Sequence, residues 1–569
     1  MSLSLFVFSY VYESFFILFF LSSVVLFSVF VYLVLVYRKI ETYQNRLFLY
    51  KDVLTNELRR SEMKLDELFN KGVNISNLDE RTHFYNDLNI FGNNGLYTYL
   101  DTTLTRNGHT QFVNNLLRAN LENSRTILER QKLIQELSSH PYFGLKLLRL
   151  FGEFYLLLPD SSRLGFSAFY DKNFKFFQDK QFLRYSFKPL VGVAWLSIIA
   201  HFLFDLPSFS SSFFFVQMIL FLFYRKEILS TFKSFEGIFT KTETLQKILL
   251  CLYSTGIKSP LIAPYFESTN KKEIKLILNK LDSIMVRASL MRAPLPHFLA
   301  NVLFLWDLWN IVIFEKWNQK YSYKLKRLIE SMELVDSVLP FVIFQWHNPS
   351  YTYPVFKDDF HSIIAENMGH PLIPKQSRIS NPIEEMKIGE IAIITGSNMS
   401  GKTTYLRTIG INCLLAMCGA PVPADKFLLP PVEILSSIRN QDSLREGISL
   451  FYAEVKKISF ILKQASVPGK KYIILLDEIL KGTNTRERLI ASKAILEKLQ
   501  EFPSFNFITT HDIELTKDKR DNYVFWHFTE SISDGVMNFD YVIKKGVVKS
   551  SNALKILELE GIEITTKKT

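Results

Sequence analysis

The sequence predicts two architectures in one chain: an α/β domain at the C-terminal end, and before it an all-α region carrying apolar helices long enough to meet a bilayer. Three observations carry this reading. From about Glu366 short β-branched runs (IAIIT at 391–395, YIILLD at 472–477, FNFITT at 505–510) alternate with helical stretches, the texture of a mostly parallel sheet. Residues 80–185 and 226–345 are rich in helix formers with few strand-like alternations. Phe supplies 51 of 569 residues, and much of that apolar mass sits in 1–37 and 187–224.

Composition bounds the function classes. With 48% hydrophobic and 22% charged residues the chain is neither disordered nor collagen-like. Its three cysteines exclude a disulfide scaffold. Cys413 and Cys418 are five apart on a predicted helix, so they do not stack on one face and read as small buried apolar residues. The net charge of +11 suits nucleic acid or an anionic membrane surface and does not choose between them.

Taken in order, residues 1–37 read as an N-terminal transmembrane anchor. Phe15–Tyr37 gives 23 residues without charge, Gly or Pro, enough to cross a core of about 30 Å. A cleaved signal peptide needs a basic n-region, and nothing basic precedes Arg38. Residues 38–79 predict a separate amphipathic juxtamembrane helix; Ile40, Leu47, Leu54 and Leu68 lie at multiples of seven, but Ser61 breaks a coiled-coil series. Residues 80–186 form the first part of a helical region.

Residues 187–225 predict a transmembrane hairpin: Pro189–Phe204, a turn at Asp205–Ser208, then Phe209–Tyr224. Arg184 and Lys188 precede it and Arg225 and Lys226 follow, so the positive-inside bias puts both ends in the cytoplasm with Arg38 and Lys39. A buried hairpin in a soluble core is the competing reading, because each arm is slightly short. His201 falls at the interface. Residues 226–364 continue the helical region. Within them Leu295–Phe314 is apolar but interrupted by Asn301, Asp307 and Asn310, which favours a core helix. Turn-rich Asn348–Pro374 marks a boundary, and 365–569 form the α/β domain.

The chemistry lies in IAIITGSNMSGKTT at 391–404, where a strand meets Gly396, Ser397, Asn398, Met399, Ser400, Gly401, Lys402, Thr403 and Thr404 before a helix. This is the P-loop pattern: glycines let backbone N–H groups face phosphate oxygens, and the helix N-terminus adds positive potential. Lys402 places a charge at the β/γ-phosphates and Thr403 offers a hydroxyl to Mg²⁺. About 75 residues on, the strand YIILLD ends in Asp477, a candidate for Mg²⁺, and Glu478, a candidate to polarise water. His511 ends the strand after it and is a candidate γ-phosphate sensor. The sequence has no HExxH, no Cys/His cluster of zinc spacing, no GxSxG, and no long basic tract with interleaved aromatics.

These motifs, with GISLFYAEV at 447–455, LLDEILKGTNT at 475–485, TTHDIELT at 509–516 and HFTE at 527–530, resemble the ATPase domain of the MutS family in order. FDYVIKKGVVKSSNALKILELEGI at 539–562 resembles its closing pattern, LNIFGNNGLYTYLDTTLTRNGHTQFVNNLL at 88–117 and ILERQKLIQEL at 127–137 the start of its helical core, and AENMGHPLIP at 365–374 the approach to the ATPase. The apolar segments make the chain resemble a membrane-anchored MutS-related branch. The resemblance implies an ABC-type P-loop ATPase that binds ATP and Mg²⁺ in a composite site of a homodimer. Carried over, Ser449 approaches the γ-phosphate bound by the partner, and Asn398 sits in the mobile loop position. Gly482, Thr483 and Asn484 form a loop facing the other subunit, and Arg378 stacks on adenine.

The departures from the family matter too. About 80 residues precede the core and no Phe-x-Glu wedge can be placed in them, so the expectation is a branch of the family that lacks the mismatch-reading domain and a terminal dimerisation module. The expectation is an inner-membrane ATPase with its core and ATPase domains on the cytoplasmic side, coupling ATP turnover to binding of mismatched or branched DNA. The alternative is a nucleotide-gated structural or signalling protein of the membrane without mismatch recognition. An ABC exporter fits poorly, with three spans and no LSGGQ-like segment.

Overall fold

The computed structural model describes residues 2–68, 83–118, 123–140, 142–155, 176–177, 180–204, 207, 209–239, 242–438, 450–480, 483–518, 520–533 and 536–547. Two compact units divide at Leu58/Arg59.

The first unit is helical throughout. One helix runs Ser2–Ser61, 60 residues, because no Gly or Pro occurs in that stretch. The expected separate juxtamembrane helix is therefore corrected: up to Ser61 it continues the apolar segment without a break, and residues 69–79 lie outside the described residues. Leu26, Phe27, Phe30 and Tyr32 are exposed. The hydroxyls of Ser28 and Thr42 donate back to the carbonyls of Val24 (2.7 Å) and Arg38 (2.8 Å), so neither needs water.

In the second unit everything described before Val355 is helix or loop. The 42-residue helix Trp306–His347 organises it. Leu325, Leu328, Ile329, Met332, Val335 and Leu339 along it are fully buried, the spacing of one apolar stripe. Its Asp336 carboxylate accepts the N–H of Thr105 at 2.7 Å and of Leu104 at 3.2 Å, satisfying donors at the start of helix Arg106–Arg118. Its Trp317 Nε1 donates to the carbonyl of Ile277 in helix Lys271–Ala288 (3.1 Å).

The apolar block forms helices Gln181–Phe204 and Ser210–Phe239, which pack through Trp195 and Phe214. Asp205, Leu206 and Ser208 of the expected turn lie outside the described residues. Among the described residues, Gln181–Phe204 and the Ser22–Ser61 stretch of the first helix are long and apolar enough to cross a membrane. The second arm is apolar only as far as Tyr224. The expectation of one core helix over Leu295–Phe314 is overturned. The chain forms helix Pro294–Phe304, breaks at Leu305 (φ 50°), and turns by 83° into Trp306–His347. Leu295, Phe298, Leu299 and Phe304 are exposed.

The C-terminal part is α/β. Its strands are β1 (Val355–Phe356), β2 (Ser362–Met368), β3 (Asn381–Lys387), β4 (Ile391–Thr395), β5 (Lys426–Leu429), β6 (Glu433–Ser437), β7 (Tyr472–Asp477), β8 (Ser504–Thr510), β9 (Tyr523–His527), β10 (Glu530–Ser533), β11 (Val536–Phe539) and β12 (Lys544–Lys545). A four-stranded sheet, ordered β1-β5-β2-β3, leads into a six-stranded sheet ordered β12-β9-β4-β8-β7-β6. In the larger sheet β9, β4, β8, β7 and β6 are parallel and only the edge strand β12 is antiparallel. Every residue of β4, β7 and β8 is buried, as expected for parallel strands covered on both faces. β8 lies between β4 and β7, so the loops leaving all three open side by side at one sheet end, where α/β folds place ligands.

Candidate functional site

Between β4 and the helix Lys402–Met417 the chain turns through a loop that needs its glycines. Gly401 has φ 106°, and a Cβ there would lie 3.2 Å from Tyr541. A Cβ on Gly396 would come within 2.8 Å of Ser400 Oγ and 3.1 Å of the Phe528 carbonyl. Asn398 and Thr404 are exposed, and Met399 (φ 66°) is 85% exposed at the loop tip. Ser397 Oγ donates to Glu530 at 2.8 Å. Ser400 is buried and its hydroxyl has no hydrogen-bond partner among the described residues. An orphaned hydroxyl inside a tight loop at a helix N-terminus fits an anionic oxygen that would complete it.

Lys402 is buried, and its Nζ donates to the carbonyls of Gly396 (2.9 Å) and Ser397 (2.7 Å). The ammonium thus lies folded back over its own loop. One residue on, Thr403 Oγ1 donates to Asp477 Oδ2 at 2.8 Å, joining the start of this helix to the end of β7. The other carboxylate oxygen accepts a short hydrogen bond from Thr509 of β8. Thr403 and Asp477 are hard oxygen donors on converging elements, the set that Mg²⁺ prefers. Among the described residues no group of three or more His, Cys, Asp or Glu is placed to hold a metal. A divalent ion here would therefore share these two residues with ligand oxygens and water.

Glu478 follows directly. Its N–H donates to the Thr509 carbonyl (3.1 Å) and its φ is 56°, a left-handed conformation that costs a non-glycine residue about 1–2 kcal/mol. That turn aims its carboxylate at His511, with Oε1 2.7 Å from Nε2. The same Nε2 is 3.4 Å from Lys402 Nζ. The imidazole therefore stands between the lysine and the glutamate, held from β8 by a chain that continues through Asp512. Asp512 binds Arg488 through two hydrogen bonds of 2.8 Å. Behind the acidic pair is a small, partly open recess lined by Ser437, Glu454, Asp477, Glu478 and Leu480. It reaches helix Leu450–Ala465, which begins inside the GISLF segment.

Not every candidate is brought to this cluster. Ser449 and Gly482 lie outside the described residues. Asn484 caps helix Thr485–Leu499 by accepting the Glu487 N–H at 2.9 Å, and Thr483 donates to the Glu487 carboxylate at 2.6 Å. The side chains of both are thus engaged at their own helix start rather than at the Gly396–Thr404 loop. Arg378 donates to the Ile373 carbonyl (2.9 and 2.6 Å) and lies 5.4 Å from the Tyr351 ring. No described contact joins it to the loop. Two aromatics flank the loop instead: buried Phe528, and Tyr541, 45% exposed and packed against Gly401. Sequence reasoning assigned Tyr541 no role, although it stands inside the quoted FDYVIKK. Glu530 and Asp512 stand inside the quoted HFTE and TTHDIELT yet carried no assigned role, and Arg488 is brought here only by the fold.

Residues 392–566 match the family model for MutS domain V. The chain is 31% identical over 257 residues to the DNA mismatch repair protein MSH3 of Candida glabrata, covering 43% of this chain and 25% of that protein. It is 31% identical over 249 residues to the DNA mismatch repair protein MutS of Bacillus licheniformis (42% and 28%), and 32% identical over 212 residues to that of Aquifex pyrophilus (36% and 24%). The matches thus span about a quarter of the length of these curated relatives. The family model places the likeness in residues 392–566, within the C-terminal α/β part.

Proposed function

We propose, from a C-terminal MutS domain V, that this protein is a membrane-anchored, ABC-type P-loop ATPase that binds and hydrolyses ATP between two copies of itself. One observation carries the proposal: Lys402, the Thr403–Asp477 pair and the Glu478–His511 pair converge at the ends of three adjacent strands. The curated relatives are named as DNA mismatch repair proteins. That supports coupling of the cycle to mismatched or branched DNA.

The residues divide the work. Lys402 exchanges the carbonyls of Gly396 and Ser397 for phosphate oxygens, so no buried charge is left unpaired at any stage. The Ser400 hydroxyl and the loop N–H groups complete the phosphate cradle. Thr403 and Asp477 would hold Mg²⁺, which neutralises charge on the phosphate oxygens when bound. Glu478 orients and polarises the attacking water, and His511 fixes its carboxylate and faces the γ-phosphate position. Ser449 of the partner subunit completes the pocket. The helices Ser2–Ser61 and Gln181–Phe204 anchor the protein in the inner membrane with its ATPase on the cytoplasmic side.

The test compares ATP hydrolysis by purified wild type and Lys402→Ala in detergent or nanodiscs. Loss of turnover in the variant is expected; equal rates would sink the ATPase assignment. A second reading draws on the exposed apolar helices of the helical region: a nucleotide-gated structural or signalling protein of the membrane without mismatch recognition. Binding to mismatched, branched and homoduplex DNA across a salt series separates the two. DNA binding should weaken steeply with salt, whereas flat, negligible binding favours the second reading.

A further inference from the structure

We infer that helix Pro294–Phe304 is a re-entrant membrane element: it enters the bilayer beside the apolar hairpin, turns back at Leu305, and leaves on the same side with its outer face in lipid. This rests on the reading that the hairpin lies in the membrane.

The first support is an inverted burial pattern. Within this helix the buried residues are His297 and Asn301, one turn apart, while Leu295, Phe298, Leu299 and Phe304 face outward. A helix packed on a soluble core shows the reverse, polar out and apolar in. Polar residues inside and apolar residues outside suit hydrocarbon as the surrounding solvent.

The second support is how the break is sealed. Non-helical backbone at membrane depth persists only where its polar groups are satisfied within the protein. Here Asn301 Oδ1 accepts the Asp307 N–H (2.9 Å), and Asn301 Nδ2 donates to the His297 carbonyl (3.0 Å). His297 Nε2 lies 2.9 Å from both Asp307 carboxylate oxygens. Trp195 of the hairpin donates its Nε1–H to the carbonyl of Leu303, near the helix end where carbonyls lose their partners (3.1 Å). These polar groups are closed off inside the protein, and what remains outside is apolar.

The third support is depth. His297 and Phe298 contact Phe221, one turn from Arg225, whose guanidinium lies 5.9 Å from the Phe221 ring. Phe304 stacks on Trp195 (5.3 Å), seven residues past Lys188 and therefore about 10 Å inward. Beyond the break, Trp309 packs on Phe187, back at the level of Lys188, whose ammonium lies 5.3 Å from its ring. The chain thus descends from the cationic rim and returns to it. Eleven residues cover about 16 Å, half of a roughly 30 Å core, too short to cross. Lys188, Arg225 and Arg292, just before the helix, suit anionic headgroups at that rim. Returning on the same side also leaves the α/β domain where the flanking charges of the hairpin put it.

The test attaches an environment-sensitive fluorophore at Leu299→Cys, with Phe202→Cys as hairpin reference and Val286→Cys as exposed control. Cys251, Cys413 and Cys418 are buried. The full chain is reconstituted in phosphatidylcholine–phosphatidylglycerol vesicles. Acyl-chain nitroxide should quench positions 299 and 202 several-fold more than position 286, and aqueous iodide the reverse. Lipid quenching at 202 but not at 299 overturns the inference and leaves the membrane reading standing. Iodide quenching at both sinks the two together. An impermeant thiol reagent should reach Lys275→Cys and Tyr323→Cys, on either side of the element, from the same face of the bilayer. Labelling from opposite faces means a crossing and overturns the re-entrant path.

Discussion

Asp87 and Lys457 form an ion pair across 370 positions of sequence, with Nζ 2.7 and 2.9 Å from the two carboxylate oxygens. Asp87 ends the short helix His83–Asp87 of the helical region, and Lys457 lies on helix Leu450–Ala465, just past the GISLF segment. The same carboxylate accepts Ser436 Oγ (2.8 Å) and the Ile438 N–H (3.1 Å), while the Asp87 carbonyl accepts from Arg407 Nε (3.1 Å). One buried acid thus ties the helical region to β6 and to two helices of the α/β part. A movement of Leu450–Ala465 during a nucleotide cycle would pass directly to it.

Asp87→Ala should therefore destabilise strongly, because it removes the buried carboxylate that Lys457, Ser436 and Ile438 share. Breaking one partner of a buried pair costs about 3–5 kcal/mol. Adding Lys457→Met should recover part of the loss. Denaturant melts of both variants in detergent check this; additive losses would mean the two side chains act independently.

Glu478→Gln should keep nucleotide binding and lose turnover by roughly 10²–10⁴-fold, the usual scale for a positioned general base. The amide fits the same left-handed turn and still offers an oxygen to His511. Fluorescent-nucleotide binding and single-turnover hydrolysis separate the two effects. A variant that binds weakly would point to a structural role for the carboxylate.

Thr403→Val should raise the Mg²⁺ needed for half-maximal ATPase activity by roughly 10–100-fold, the scale seen when metal-site contacts are removed. It is near-isosteric, and Asp477 keeps its second hydrogen bond, from Thr509. An unchanged Mg²⁺ profile would place the ion elsewhere.

Much of this site was legible because its geometry is local. A strand, two glycines, Lys402 and Thr403 occur in a few residues, and Asp477 and Glu478 end a strand whose apolar run is unmistakable. Local spacing could not reveal partners set by tertiary packing. Asp87 offers no signal of its tie to Lys457, and Asn484 reads equally well as a loop or a cap residue. Leu305 is neither Gly nor Asn, so nothing local announces its positive φ; the sealed Asn301–Asp307 cluster stabilises the break instead. The small sheet was hidden for another reason. The pairing of β2 with β3 shifts register between Ile363 and Ala365 and again between Ala365 and Met368, which disrupts the alternation that would mark the strand. The helix through residue 38 shows the opposite failure: a change in composition read as a boundary, where the backbone had no reason to stop.

His370 lies two residues past β2, the strand that leads into the domain. Burial first, then the neighbouring Arg378 and Arg407 charges, push its pKa down from 6.5 to about 4. The neutral ring accepts the Leu372 N–H at Nδ1 (3.2 Å), a bond the protonated ring cannot make. In the unfolded chain the imidazole titrates near 6.5. Above that pH both states are neutral and stability does not vary on this account. Between about 6.5 and 4 the unfolded state binds the extra proton, so stability falls as pH falls. Allowing for partial exposure, the loss is roughly 2 kcal/mol. His370→Gln keeps an acceptor without a titrating group, so it should flatten this part of the stability–pH curve. Denaturant titrations at several pH values in that window make the comparison, and a wild-type slope that survives the substitution would assign the acid sensitivity to another group.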